Sequence, residues 1–346
     1  MARHSTSRDQ FSEERLLKIF REESREQEQL QISWRERLEN TRPLTPYDYD
    51  LSQWVVSFTD VLQPYALTKV EQFKFGFPCS MGKKVFFLLD NPWVKENPTP
   101  DDSVPGSKHL CTRCDRPFFT TRENYITEEG CIYHYGKIYA AQYTCCGRVP
   151  GSMGCTTCRV HVWSGVERGV NGPFTSFVTT RKSTYPARNI YALDCEMCYT
   201  VAGLEVARVS VVGFDGVVVY DTFVRPAHSV VDFNTQFSGV TERDLQNAKS
   251  LKKAQKELCE FIRADTILIG HGLDNDLRAL RMVHGTVLDT SLMFPHHKGM
   301  PFRRGLKELA LSELGRHVQE GRGHSSCEDA RTSLDLVKHK LLNMLP

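Results

Sequence analysis

Ile190-Tyr191-Ala192-Leu193-Asp194-Cys195-Glu196-Met197 is the stretch that decides the fold. Its apolar and aromatic run, broken only by two acids, predicts a buried strand. Side chains at i and i+2 share one face of a strand, so Asp194 and Glu196 reach a common site. Two carboxylates on a central strand are costly unless they bind something. Cys195 and Met197 face the other way, with Met197 near the strand end.

The pattern downstream continues regularly. Val206 to Phe214 and Val217 to Phe223 read as strands, joined by Asp215-Gly216 as a hairpin turn. Leu251 to Ile262 has helical spacing, and Thr266 to Gly270 is a short apolar strand. Asn275 to Val283 reads as a helix, Val287-Leu288 opens a strand, and Leu306 to Leu314 and Glu328 to Leu342 are helical. Strands joined by tight turns, followed by alternating helices and strands, predict an α/β domain with a mixed sheet over residues 189–346.

Two more segments carry matching chemistry. Gly270-His271-Gly272-Leu273-Asp274-Asn275-Asp276 places acids at the start of a helix, whose N-terminus orients a carboxylate. On residue pattern alone, Asp274 and Asp276 compete for the role, and Asp274 also fits a cap. His324 follows Gly321-Arg322-Gly323 in a predicted flexible loop, and Asp329 comes five residues later in the last helix. Asp194, Glu196, Asp276 and Asp329 thus offer oxygen ligands for two divalent cations, with His324 as general base. Such a set suits phosphodiester hydrolysis, and hard carboxylate donors suit Mg²⁺ or Mn²⁺.

Bulk properties narrow the classes. The chain has 346 residues and a net charge of +2, so any nucleic-acid contact must use a local patch. No apolar run approaches a membrane span or a signal-peptide core, which predicts a soluble intracellular protein without membrane contact. Seven of the 12 cysteines lie between Cys111 and Cys158. Without a secretion signal, that crowding reads as metal binding. Cys111, Cys114, Cys131, His134, Cys145, Cys146, Cys155 and His161, taken as four sequence pairs, suit two tetrahedral Zn²⁺ sites, with one zinc plus buried thiols as the alternative. Which ligands share a metal stays open, and Cys158 is extra.

These features divide the chain into five parts. Residues 1–46 form a charged extension, partly helical or disordered, in which Leu16, Leu17, Ile19 and Phe20 could line one helix face. Residues 47–107 carry Trp54, Phe58, Tyr65, Phe73, Phe75 and Phe87, then a Pro-rich linker around Pro98, Pro100 and Asp101-Asp102. A Cys/His zinc module follows at 108–165, a linker at 166–188, and the α/β domain at 189–346.

The α/β domain resembles the DEDDh exonucleases of RNase H-like fold, and is similar to the Rex-type RNA exonucleases of the RNA exonuclease 1 homologue and GOR group. The resemblance rests on Ala192 to Met197, Phe237-Ser238-Gly239-Val240-Thr241, Gly270-His271 through Asn275-Asp276, Leu288-Asp289-Thr290, Leu306 to Ala310 and His324 to Ala330. It implies a mixed five-stranded sheet and selects Asp276 over Asp274. The step from His324 to Asp329 matches the His subclass. The resemblance also implies 3′-to-5′ hydrolysis of single-stranded RNA ends, release of nucleoside 5′-monophosphates and a nuclear location, with the cytoplasm as a second compartment. Tyr143-Thr144-Cys145-Cys146 and Gly154-Cys155 resemble landmarks of the Cys/His block that precedes this domain in the same group.

Substrate contacts are assigned to Met197 and Phe237 for stacking, and to Arg303, Arg304 and Lys307 for phosphate. His296, His297 and Lys298 could add charge, as could Lys137, Arg148 and Arg159 near the cysteines. Two other readings compete: a DNA 3′-end exonuclease, and a non-catalytic scaffold that binds through its zinc module.

Overall fold

The computed structural model describes residues 11–39, 58–92, 94, 106–121, 124–183, 189–321 and 323–342. Trp54, the Pro98 to Asp102 stretch and Arg322 lie outside them.

The central strand, β1, runs Ile190–Thr200. It pairs antiparallel with β2 (Gly203–Gly213), which pairs antiparallel with β3 (Val218–Arg225). The turn after β2 places Gly216 at φ +81°, where glycine meets no Cβ penalty. On its other side β1 pairs parallel with β6 (Ile267–Gly270), which pairs parallel with β7 (Val287–Asp289). Two short strands complete the sheet. They are β4 (Val230–Asp232), on the far end of β1, and β5 (Lys249–Ser250), beside β3. The sheet therefore has seven strands rather than five. The two additions span three and two residues, too short for a period-2 pattern to register.

Alternation along β1 explains the two layers. Leu193 joins Val209, Val211, Leu258 and Leu277 beneath α1 (Leu251–Phe261) and α2 (Leu273–Ala279). Ile190 and Ala192 join Leu334 and Val337 of α4 (Ser326–Leu342) on the opposite face. A further helix, α3 (Leu306–Leu314), packs on α4 through Leu309 and Leu336.

The N-terminal segment is built into this domain. Leu62 and Ala66 enter the α4 side of the core, while Phe77 enters the α1–α2 side. The amide of Leu67 donates to Val287 O at 3.0 Å, so the chain passes around the β7 edge. Gln72 Nε2 donates to Gly285 O at 2.8 Å. The first helix, Glu13–Glu39, buries Leu16 and Phe20 against Phe73 and Phe86. The sequence left disorder open for this extension; the helix forms because Leu16 and Phe20 recur at i and i+4 on one face.

Residues 166–188, read as a connection, carry two strands. Gly169–Phe174 pairs with Lys84–Leu89, and Val178–Thr179 pairs with Met282–Val283. The buried His284 ring fastens the second of these, with Nδ1 3.0 Å from Thr180 Oγ1 and Nε2 2.8 Å from Thr266 O. Among the described residues, no helix is long and apolar enough to cross a membrane.

Candidate active site and metal centres

Asp194 and Glu196 lie opposite Ser210 and Arg208 on β2, just before a bulge between Glu196 and Met197. Parallel pairing of β1 with β6 brings the carboxyl end of β6, where α2 begins, beside these acids. Asp276 on α2 accepts the amide of Cys195 through Oδ1 at 2.9 Å. Asp329 comes from the first turn of α4.

The four acids act on one another. Burial, then Asp276, Asp329 and Glu196, push the Asp194 carboxyl well above its ordinary range. Burial and Asp329 push Glu196 to about 8, while Arg208 opposes them. Burial carries Asp276 to about 8 and Asp329 to about 6. Glu196 Oε1 and Asp329 Oδ1 are buried with no hydrogen-bond partner. Buried carboxylate oxygens without donors, in a crowd of like charge, are chemically suited to divalent cations.

Asp274 has a different task. It is paired with Arg278 at 2.9 Å and with Arg303 at 2.7 Å. The start of α2 is braced by Asp289, which accepts the amides of Gly272 at 3.0 Å and Leu273 at 2.9 Å. That brace is the structural sense of Leu288-Asp289-Thr290.

His324 Nδ1 stands 3.9 Å from Asp329 Oδ2. Burial, then the Lys307 ammonium, lower its pKa, which favours the neutral imidazole that a base requires. The loop holding it is pinned rather than loose. The His324 amide donates to Phe237 O at 2.6 Å, and the Gly323 amide to Gln236 O at 3.1 Å. A Cβ at Gly323, whose φ is +82°, would meet Gly239 Cα at 2.5 Å. Two glycines in contact thus set His324 against the Phe237 turn. Gln319, which sequence reasoning missed, donates from Nε2 to Asp329 Oδ2 at 2.8 Å. No motif marks it, although its positive φ of 56° is unusual for a glutamine.

The substrate assignments divide. Phe237 is edge-on to the His324 ring at 6.2 Å and is 36% exposed. Met197 lines a cleft together with Asn275, Arg278, Phe87 and Phe177. Lys307 lies near enough to His324 to act on its charge, and donates to Gln319 O at 3.2 Å. The two arginines are not brought to the site as free phosphate ligands. Arg303 is held by Asp274 and by Phe75 O, and Arg304 by Glu308, Glu313 and Ser312. Acidic partners hold both guanidinium groups: Asp274 takes Arg303, and Glu308 and Glu313 take Arg304. His296 stacks with Phe302.

The Cys/His residues form two groups, each with donor atoms within 4.8 Å of one another. Cys111, Cys114, Cys131 and His161 make the first; His134, Cys145, Cys146 and Cys155 make the second. Both offer the four sulfur and nitrogen donors of a closed tetrahedral zinc site. The sequence pair Cys131–His134 is split between them, because Cys131 begins a strand that pairs with Thr156–Cys158 while His134 lies beyond its end. Cys158 stays outside both, facing Arg113 Nη1 at 3.3 Å. Arg113 also joins the first group to the sheet, donating to Asp232 at 2.5 Å and Asn234 at 3.2 Å.

Acids presented by a central strand and two helices over this sheet define an exonuclease domain, and the RNase_T exonuclease family model matches residues 192–337. The chain is 41% identical over 284 residues to Exonuclease GOR of Pan troglodytes, covering 74% of this chain and 41% of that protein. It is 39% identical over 317 residues to RNA exonuclease 1 homolog of Homo sapiens, covering 87% and 25%. It is 38% identical over 270 residues to RNA exonuclease 3 of Eremothecium gossypii, covering 73% and 69%. The chain belongs to the Rex-type RNA exonuclease family. It spans less than half the length of the GOR and RNA exonuclease 1 relatives.

Proposed function

We propose that this chain is a two-metal-dependent 3′–5′ exoribonuclease of the DEDDh class, which shortens single-stranded RNA and releases nucleoside 5′-monophosphates. The observation that carries the reading is the pair of buried oxygens, Glu196 Oε1 and Asp329 Oδ1, without partners among four carboxylates. Asp194, Glu196, Asp276 and Asp329 would hold the cations. When bound, Mg²⁺ or Mn²⁺ supplies Lewis acidity to the scissile phosphate and the attacking water. His324, held neutral, takes the proton of that water. Phe237 stacks beside the terminal nucleotide, and Met197 bounds the cleft. The RNA substrate is supported by the names of the relatives. The two Cys/His groups are structural zinc sites in this reading, and a nuclear location follows the resemblance, to be checked by imaging the tagged chain.

The test is a time course on 5′-labelled single-stranded RNA with Mg²⁺ or Mn²⁺, beside Asp194→Asn. The expected result is a ladder that recedes from the 3′ end and is lost in the variant. Full activity in Asp194→Asn, or no cleavage by folded, zinc-loaded protein with either metal, would sink the proposal. A DNA ladder of equal rate would remove RNA as the preferred polymer.

A further inference from the structure

Exposed apolar side chains crowd around the second Cys/His group. Ile138 is 56% exposed, Tyr139 78% and Met153 73%, and Tyr135 follows at 42%. Such a patch on a folded surface marks an interaction site. Tyr135 follows the ligand His134 directly, and the His134 ring stacks on Tyr143 at 3.8 Å. The hairpin from Ile138 to Tyr143 turns through Ala140 and Ala141, both at positive φ. Alanine disfavours that backbone, so the turn is held by its surroundings, with Tyr139 at its tip.

This patch is continuous with the active site. Tyr135 is edge-on to Phe237 at 6.3 Å, and Phe237 is edge-on to His324 at 6.2 Å. Arg113 fixes the relation by gripping Asp232 and Asn234, the latter at the start of the turn that carries Phe237. Lys137, Arg148 and Arg159 are exposed on the same module. Aromatic faces interleaved with basic side chains are the chemistry of single-strand binding.

We propose that the second Cys/His group forms a binding surface for single-stranded RNA, holding nucleotides 5′ of the scissile bond with Tyr135 and Tyr139 as stacking platforms. This rests on the exonuclease reading, in which the 3′ end sits at His324 and the rest of the strand must leave past Phe237. A peptide partner would need no continuity with the catalytic histidine.

The experiment compares a diribonucleotide with a single-stranded RNA of about 12 nucleotides, a length in the range that stacking surfaces hold. Wild type, Tyr135→Ala, Tyr135→Phe and Tyr139→Ala are measured for turnover, for anisotropy with the longer RNA and for zinc content. Tyr135→Ala should raise KM and Kd for the longer RNA about 5- to 150-fold, as loss of one stacked base does. Diribonucleotide turnover should stay unchanged, and Tyr135→Phe should restore binding. Tyr139→Ala, at an exposed tip, should weaken the longer RNA alone even if Tyr135→Ala lost zinc. Unaltered binding of the longer RNA in both alanine variants, or equal losses on both substrates, would overturn the proposal and leave the patch to a protein partner. Failure of wild type to cleave either RNA, with anisotropy still falling in the variants, would overturn the exonuclease reading and, with it, the placement 5′ of a scissile bond, leaving Tyr135 and Tyr139 as a single-strand binding surface only.

Discussion

Gly323→Ala tests how His324, the base of the proposed reaction, is placed. The added Cβ would lie 2.5 Å from Gly239 Cα and 2.9 Å from its nitrogen. Ordinary contact begins at 3.4 Å, so the two segments must part by 3.4 − 2.5, or about 0.9 Å. Both neighbours are backbone, and no side-chain rotation can relieve the clash. The His324 amide is tied to Phe237 O across the same contact, so the imidazole moves with it. A misplacement near 1 Å costs a catalytic group on the order of 100-fold in rate. Left-handed alanine adds about 1 kcal/mol of instability, roughly 2–4 °C in Tm. The assay is kcat on a short single-stranded RNA beside Tm and His324→Ala. We expect kcat to fall about 100-fold toward the His324→Ala level while the protein stays folded. A kcat within about threefold of wild type would refute the claim that the glycine contact positions the base.

Three further outcomes follow from the charges. Glu196 at about 8 and Asp329 at about 6 lie above their ordinary values of 4.5 and 3.8. Raised acids favour the protonated fold, so metal-free protein should be more stable near pH 5 and lose stability as pH rises toward 8. Added Mg²⁺ should raise Tm more at pH 8 than at pH 6; the reverse order in a thermal scan would place the cations elsewhere. Arg303→Ala should lower stability by about 1.5–3 kcal/mol, through loss of its charged hydrogen bond to Asp274, which keeps Arg278, and leave KM for RNA within about threefold. A large rise in KM at unchanged Tm would return Arg303 to the phosphate.

Much of the sheet and four of the five proposed catalytic positions carry a local signal, whereas Asp276 is separated from its neighbour Asp274 only by the family resemblance. Asp194 and Glu196 interrupt an apolar run at period 2, and helix Leu306–Leu314 matched its sequence bounds. What stayed hidden depends on contacts distant in sequence. Nothing local in Gly169–Phe174 announces pairing with Lys84–Leu89, and nothing in Leu62 or Phe77 tells which side of the sheet each will cover. Arg303 reads as a phosphate ligand until Asp274, 29 positions away, is seen to hold it. Cys131 and His134 look like one pair because spacing shows proximity along the chain, whereas their opposite allegiance is set by where the strand ends.

The pairing of Lys84–Leu89 with Gly169–Phe174 makes the whole Cys/His module an excursion between adjacent strands of one sheet. Closing that excursion costs more entropy the longer and looser it is. Metal bound to the two groups would shorten the excursion in effect, drawing the strands together before the exonuclease core is complete. If the two groups take zinc, its supply would govern how much folded chain a cell accumulates, although neither group includes any of the four buried carboxylates. Starvation for that metal should appear first as degraded chain rather than as slow chain.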